Sequence, residues 1–388
     1  MIDTIVLTLR QSMFTIIDHD KFSPSTKGLY EQANYYRLGG RSNMVCKQNP
    51  TSSELKAGIY KPRLTITKRF NKYRQYEIMM KIEFSIPKLL YGNNFDEVEE
   101  ADFEKIAKLL QDKLKVMGVL VFEKLLIASP VSSVHYSKNI PLTDRTTPYT
   151  YLNKISKCNI NQRLDLNQTD FRNEGHSLKF RANSFEVAFY DKLKDLYQAK
   201  TSEKRAEERD NSLQLNLFEE VKMKTPFEVL RMEVRLNKRY KITQILKNIG
   251  ADVEPTFVNL FKKDISQKVL LYYLDELEVT YPMLLYYNKE PKRFLMDFIV
   301  NNPDASLKKA IQALGLRILL EDMGIREFRQ IISKYKRTSW YKLNKEVREY
   351  TYPQERPLEV LRETINQFTP LKLVDFQDKM INNDKYTL

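Results

Sequence analysis

A tyrosine at the end of an alternating segment is the clearest candidate for chemistry in this sequence. In SFEVAFY, Phe185, Val187 and Phe189 form the apolar face of a predicted strand, which leaves Tyr190 on the opposite face. Lys192 follows two residues later, and a cation beside a phenol can lower its pKa and neutralise charge that develops on a scissile phosphate. A tyrosine nucleophile conserves the bond energy in a phosphotyrosine, so a free 3′-hydroxyl can reseal the strand without ATP. The pair therefore predicts strand cleavage and rejoining, although such a pairing is also common by chance.

Two glutamates and one histidine also lie on predicted strands, away from the apolar side. Glu83 alternates with Ile82 and Phe84, and Glu233 lies in FEVLRMEVRL, where charged and apolar residues alternate. Two strand carboxylates could share Mg²⁺ or Mn²⁺, which prefers oxygen ligands and polarises phosphoryl oxygens. His135, on the more polar side of SSVHYSKNI, is the third candidate. The alternative is a solvated, charged sheet face with a structural histidine.

Composition narrows the classes of function. Lys and Arg number 64 against 50 acidic residues, and the net charge of +14 favours a polyanionic partner, either nucleic acid or an anionic membrane surface. No apolar run approaches the roughly 20 residues that span a bilayer, so we expect a cytoplasmic protein without a membrane partner. The two cysteines, Cys46 and Cys158, lie far apart and predict neither a disulfide framework nor a zinc site. The absence of a phosphate-cradling glycine motif argues against nucleotide hydrolysis.

Strand and helix patterns divide the chain into two predicted domains. Stretches rich in β-branched and aromatic residues predict strands at Thr4–Leu9, Ile59–Thr67, Tyr76–Ile86, Val131–Ile140, Leu178–Tyr190 and Phe227–Leu236. Helical spacing of apolar residues predicts helices at Asp102–Met117, Thr256–Phe261, Leu270–Leu285, Phe294–Val300 and Leu307–Met323. We therefore expect an α+β catalytic domain over residues 1–240, with a charged insertion at about residues 200–216. A mainly helical DNA-binding or accessory domain should follow over residues 241–388.

Two basic stretches are candidate DNA contacts. Residues 56–81 hold eight Lys or Arg against one acid, interleaved with aromatic residues, which suits single-stranded DNA. Residues 325–348 also hold eight Lys or Arg. This stretch follows a predicted helix, Leu307–Met323, and a turn at Gly324. With a second helix over residues 325–336, the pattern predicts a helix-turn-helix that could enter the major groove. The candidate contacts are Arg63, Lys68, Arg69, Lys72, Arg74, Arg326, Arg329, Lys336 and Arg337. The alternative for the second stretch is a solvated basic helix in a bundle.

Six segments occur in the same order as in a known family. They are MIDTIVLTL, KIEFSIPKLLYGNNF, SSVHYSKNI, SFEVAFYDKLKDL, EVLRMEVRLNKRYKI and GIREFRQIISKYKRTSWYKL. Through them the chain resembles the gene II replication initiators of filamentous phages and, more distantly, the staphylococcal rolling-circle plasmid initiators. The resemblance implies a nicking-endonuclease-like antiparallel sheet domain with helices, followed by a mainly helical domain.

The resemblance also implies roles for individual residues. The family's tyrosine nucleophile falls on Tyr190, its recurring lysine on Lys192 and its acidic strand residue on Glu83. Where the relatives usually carry an aspartate, this chain has His135, so the third metal ligand departs from the family pattern. Glu233 matches a late acidic residue that could bind metal, act as general base or form an ion pair that supports the sheet.

These implications together predict a rolling-circle replication initiator. Tyr190 would attack an origin phosphodiester, remain joined to the 5′-phosphate and leave a 3′-hydroxyl for polymerase. The resemblance implies Mg²⁺ or Mn²⁺ as cofactor, origin DNA as duplex and single strand, and host helicase and polymerase as partners in a bacterial or archaeal cytoplasm. Two alternatives stay open: a transposition or mobilisation nickase of the same chemistry, and a non-catalytic DNA-binding replication regulator.

Overall fold

The computed structural model describes most of the chain. The described residues are 1–29, 44–51, 53–54, 57, 59–70, 73, 75–143, 146–158, 169–172, 175–195, 228–280, 283–285, 290–350 and 358–372. The charged insertion expected at about residues 200–216 lies outside these ranges, as do the candidate DNA contacts Lys72 and Arg74.

Within these ranges, nine strands form one antiparallel sheet and two short strands form a separate pair. The strands are β1 Ile2–Arg10, β2 Thr15–Ile16, β3 Met44–Gln48, β4 Arg63–Phe70, β5 Tyr76–Ser85, β6 Val119–Leu120, β7 Val131–Pro141, β8 Thr169–Arg172, β9 Ser177–Arg181, β10 Phe185–Asp191 and β11 Val229–Leu236. The large sheet has the order β3-β4-β5-β1-β7-β11-β10-β9-β8, and β2 pairs with β6. A mixed fold with a large antiparallel sheet is therefore confirmed.

Alternation of apolar and polar residues sets the two faces of the sheet. In β1, Ile5, Leu7 and Leu9 are fully buried, and Met232 and Val234 of β11 are buried on the same side. Because side chains alternate with a period of two, a slip of one residue would exchange the two faces, so this pattern fixes the register. We call the opposite side the polar face; its central residues are Ser133, His135, Ser137, Asn139, Glu186, Ala188, Tyr190, Arg231, Glu233 and Arg235.

The helices range in length from 4 to 25 residues. They are α1 Ile86–Tyr91, α2 Phe103–Val116, α3 Glu123–Ile127, α4 Pro148–Ser156, α5 Arg239–Asn248, α6 Phe257–Leu260, α7 Lys263–Thr280, α8 Pro291–Asn301, α9 Leu307–Ile331, α10 Arg337–Arg348 and α11 Glu359–Gln367. None of the helices in the described part of the chain combines the length and the apolar composition that a bilayer crossing requires.

The apolar face of the sheet shares one hydrophobic core with α1–α7 and α11. Phe257 of α6 meets Phe84 of β5 edge to face, with ring centroids 6.0 Å apart. Tyr273 of α7 packs on Phe185 of β10, with the two ring centroids 5.3 Å apart. We call this unit, the sheet together with α1–α7 and α11, the sheet body.

A second, smaller core lies between α8, α9 and α10, which we call the helical body. Its buried side chains include Phe294, Leu316 and Phe328. The predicted domain boundary at residue 241 does not coincide with the break between the two cores, because α5–α7 pack on the sheet and the break follows α7. Within α9, Gly324 has a left-handed φ of 71° that interrupts the helix. This is the position at which the sequence predicts a turn.

One predicted strand is in fact a hairpin. The segment Leu178–Tyr190 forms β9 and β10, and the Ala182 N–H donates to the Phe185 carbonyl at 2.9 Å. Ala182, Asn183 and Ser184 separate the strands, and Asn and Ser are common turn residues. The hairpin places Tyr190 at the end of β10, with β9 on one side and β11 on the other.

Candidate active site

Three adjacent strands bring much of the predicted site onto one patch of the polar face. β11 lies between β7 and β10, and its register places Arg231 opposite Tyr190 and Arg235 opposite His135. Glu233 lies between the two arginines on the same face, because residues two apart on a strand share a face. The structure therefore places Tyr190, Glu233 and His135 together.

The Tyr190 side chain is half-buried, and its hydroxyl is directed at a carboxylate. Oη donates to Oε2 of Glu233 at 3.4 Å. Burial raises the pKa of Tyr190 well above that of a free phenol, and the nearby Arg231 guanidinium partly opposes this rise. The phenol is thus oriented by Glu233 but needs positive charge close by to react as a phenolate.

Glu233 is almost completely buried and is held by a guanidinium. Arg235 donates from Nε to Oε1 at 3.0 Å and from Nη2 to Oε2 at 2.9 Å, and His135 Nδ1 lies 3.6 Å from Oε1. Burial alone would raise the pKa of Glu233, but the charge and hydrogen bonds of Arg235 hold that pKa far below its ordinary value. Burial lowers the pKa of His135, although the charge of Glu233 opposes this. Glu233 is therefore a permanent carboxylate and a poor proton acceptor, which disfavours the predicted role as general base.

Arg231 is the most extensively bonded cation of the patch. Its Nη2 donates to Asp3 Oδ1 at 2.6 Å and to Ser137 Oγ at 2.9 Å. Its Nη1 donates to the Asn94 carbonyl at 2.8 Å and to Asn139 Oδ1 at 3.3 Å. These acceptors come from two strands and a loop, so they fix the guanidinium on the β7 side of β11, while its charge still acts on the Tyr190 phenol.

Lys192 lies inside the protein, which differs from the role predicted for it. Its side chain is 0% exposed, and Nζ donates to Asn94 Oδ1 at 2.8 Å and lies 3.8 Å from Asp195. Nζ is 6.0 Å from the centroid of the Tyr190 ring, and burial lowers the pKa of Lys192 to about 7. A buried amine cannot contact a DNA phosphate in this arrangement.

The three predicted metal ligands do not converge. Glu83 is exposed on β5, and β1 separates β5 from β7, which carries His135. Both oxygens of Glu233 already accept hydrogen bonds from Arg235. Among the residues that the structure describes, no cluster of three His, Cys, Asp or Glu side chains is arranged to hold a metal ion. The ligand set predicted from the sequence therefore does not fit a metal in this arrangement.

The first group of predicted DNA contacts divides between the two faces of β4. Arg63 pairs in register with Glu83, and Arg69 forms an ion pair with Glu77 at 3.3 Å, both toward the polar face. Lys68 points the other way; it is 7% exposed, with Nζ 4.3 Å from the centroid of the Tyr76 ring. Lys68 therefore cannot share a DNA surface with the two arginines.

The second group lies in the helical body. Arg326 is in α9 and Arg337 begins α10. Arg329 is half-buried, with its guanidinium carbon 5.9 Å from the centroid of the Trp340 ring, and Lys336 is exposed just before α10. The helix expected over residues 325–336 ends earlier, since a 3₁₀ turn, Ile332–Lys334, follows α9.

Sequence reasoning missed several members of the patch. Arg231, Arg235 and Glu186 alternate with apolar residues, but that pattern is shared with any solvated strand face. Asp3 and Asn94 belong to distant segments, and only the strand order brings them to Arg231.

No protein-family model, curated protein or solved structure shows significant similarity to this chain.

Proposed function

We propose that this protein cleaves and rejoins a DNA strand with Tyr190 as covalent nucleophile, as a rolling-circle replication initiator does. The observation that carries the proposal is the setting of the phenol. Tyr190 is half-buried on the polar face, its hydroxyl donates to the Glu233 carboxylate, and the charge of Arg231, its register partner on β11, acts on the phenol. An oriented phenol beside fixed positive charge is suited to nucleophilic attack on a phosphodiester.

The proposed reaction exchanges one phosphodiester bond for another. The bond from Tyr190 Oη to phosphorus forms as the bond from phosphorus to the 3′-oxygen breaks. The phenol loses a proton, and the departing 3′-oxygen gains one. The products are a 5′-phosphotyrosine and a 3′-hydroxyl, which a host polymerase can extend behind a helicase. Because the bond energy is conserved, attack by the 3′-hydroxyl on the phosphotyrosine reseals the strand.

The charge distribution supports a polyanionic substrate. The chain carries a net charge of +14, and Arg69 is exposed toward the polar face. The helical body exposes Lys334, Lys336 and Lys345. In this proposal the helical body contacts duplex DNA and the sheet body holds the single strand that is cut.

The test is a trapping assay with a random-sequence pool of single-stranded DNA whose linkages carry sulfur in place of the bridging 3′-oxygen. Cleavage then releases a 3′-thiol, which reseals poorly, so the covalent complex accumulates. We expect a protein–DNA band that survives boiling in detergent and that contains only the 3′ part of each cleaved strand, joined through its 5′ end. Parallel reactions with Mg²⁺, Mn²⁺ or a chelator report whether cleavage needs a divalent cation, which stays a prediction.

One observation favours the non-catalytic alternative. Arg235 binds both oxygens of Glu233, and ion pairs of this kind also stabilise sheets that have no catalytic role. A DNA-binding regulator would shift the same DNA pool in a native gel but give no band after boiling in detergent. That outcome would overturn the proposed function.

A further inference from the structure

Two carboxylates of the polar face converge on one guanidinium. Arg235 binds both oxygens of Glu233 through Nε and Nη2, and its Nη1 donates to Glu186 Oε1 at 2.9 Å. His135 completes the group, with Nδ1 3.6 Å from Glu233 Oε1. Carboxylates and imidazoles are residue types that divalent metals use as ligands, but the cation between these two carboxylates belongs to the chain.

A guanidinium in that position is not easily displaced. Arginine stays protonated at any physiological pH, and its planar fork matches the two oxygens of a carboxylate. The side chain of Glu233 is only 3% exposed, so a metal would have to enter a buried site and break two charge-assisted hydrogen bonds.

The same guanidinium is next to the candidate nucleophile. Oε2 of Glu233 accepts hydrogen bonds from Tyr190 Oη at 3.4 Å and from Arg235 Nη2 at 2.9 Å. Two groups that bind one oxygen atom are neighbours. A phosphate attacked by Tyr190 therefore lies within reach of Arg235.

Arg235 retains capacity for a further anion. A guanidinium carries five N–H groups, and Glu233 and Glu186 take three of them from Arg235. The side chain is 29% exposed, so part of it is open to the polar face. Lys179 and Arg181 also pair with Glu186, at 3.6 and 3.2 Å, so cations outnumber carboxylates around it.

We propose that Arg235 is the site's built-in cation: it occupies the place of a metal between Glu233 and Glu186 and binds the scissile phosphate beside Tyr190. The phosphate-binding half rests on the proposed function. That Glu233 binds Arg235 and not a metal does not depend on the proposed function. No bond is made or broken by Arg235; its part is to hold a phosphate oxygen and its negative charge.

The first test measures Mn²⁺ binding by electron paramagnetic resonance and needs no DNA. We expect the wild-type protein and Glu233→Gln to bind Mn²⁺ with the same affinity. Arg235→Ala should gain a Mn²⁺ site whose affinity is at least about tenfold higher than that of the wild-type protein. The double variant Arg235→Ala with Glu233→Gln should lose this site again. If Glu233→Gln weakens Mn²⁺ binding in the otherwise wild-type protein, the proposal is overturned; that comparison holds even if Arg235→Ala does not fold.

The second test uses the trapping assay with Arg235→Lys, which keeps the charge but loses the fork. We expect the rate of covalent complex formation to fall by about 100-fold, the size of effect seen when one donor to a developing oxyanion is removed. The matched control is Arg362→Lys, since Arg362 is likewise held by two carboxylates, Asp275 and Glu278, but lies between α7 and α11. The control should leave the rate unchanged. An unchanged rate in Arg235→Lys would overturn the phosphate-binding role of Arg235. If the wild-type protein never forms the covalent complex, the proposed function is overturned, but the Mn²⁺ result is not affected.

Discussion

The cations of the candidate active site and the exposed cations of the helical body are held in opposite ways. In the sheet body, Arg231 is 2% exposed and donates four hydrogen bonds, and Arg235 is shared between two carboxylates. In the helical body, Lys334 and Lys336 are exposed on a small core. Buried, paired cations are fixed in place and suit chemistry, which needs preorganised charge. Exposed cations suit contact with a DNA backbone, which needs charge but little geometry.

The largest expected difference between the two bodies is the cost of losing one arginine. Arg231→Met leaves the Asp3 carboxylate without its partner and should lower the free energy of unfolding by about 3 to 5 kcal/mol. Arg329→Met removes a cation that packs over Trp340 and should cost only about 0.5 kcal/mol. Urea denaturation followed by circular dichroism measures both. Equal costs would show that the two bodies do not differ in this way.

A second difference concerns pH and the buried Lys192. Its folded-state pKa, about 7, lies below that of the unfolded chain, so the folded state binds fewer protons than the unfolded state above pH 7. The cost of burying the charge is therefore fully present below pH 7 and is relieved as pH rises. Between pH 7 and pH 9, the free energy of unfolding of the wild-type protein should therefore rise by about 2 kcal/mol relative to that of Lys192→Met.

The measurement is thermal or urea unfolding of both proteins at several pH values. Lys268→Met serves as the control for loss of a lysine, because the Lys268 side chain is 46% exposed. A constant difference between wild type and Lys192→Met over this pH range would mean that Lys192 stays charged in the folded protein.

The third prediction concerns DNA affinity and its dependence on salt. If the helical body supplies duplex contacts, Arg329→Ala with Lys336→Ala should flatten the slope of log affinity against log salt by about two units. Cleavage of a short single strand should stay close to normal, because only the sheet body acts on it. The matched control is Lys105→Ala with Lys108→Ala, which removes the same charge from exposed positions on α2. Equal losses on duplex and single strand would contradict the division of labour.

The faces of the strands could be predicted from the sequence, but the neighbours across the sheet could not. Alternation alone places Tyr190, Glu233 and His135 on a polar side, and the structure agrees. The same alternation would have placed Lys68 with Leu64 and Ile66 on the apolar side, as the structure shows. The prediction of a DNA contact at Lys68 came from the number of basic residues in the stretch, without regard to which face of the sheet each one lies on.

Two features of the site depend on information that spacing does not contain. Lys192 is two residues after Tyr190, so alternation would place both on the same face of the sheet. However, β10 ends at Asp191, and alternation does not apply beyond the end of a strand. Glu83 is on the polar face as predicted, but the strand order inserts β1 between β5 and β7, so Glu83 is not beside His135. Strand order arises from long-range packing, and no local pattern records it.

The most direct test of the central claim is to locate the residue that carries the DNA. The trapped complex is digested with trypsin and nuclease, and the modified peptide is identified by mass spectrometry in wild type, Tyr190→Phe and Tyr136→Phe. Tyr136 is a matched control: it is a fully buried tyrosine on the apolar side of β7. Its hydroxyl has no hydrogen-bond partner among the residues that the structure describes, so its loss should be harmless. We expect a nucleotide on Tyr190 in wild type and in Tyr136→Phe, and no complex in Tyr190→Phe. A complex that persists in Tyr190→Phe, or a nucleotide found on another residue of the wild-type protein, would contradict the assignment of Tyr190 as nucleophile.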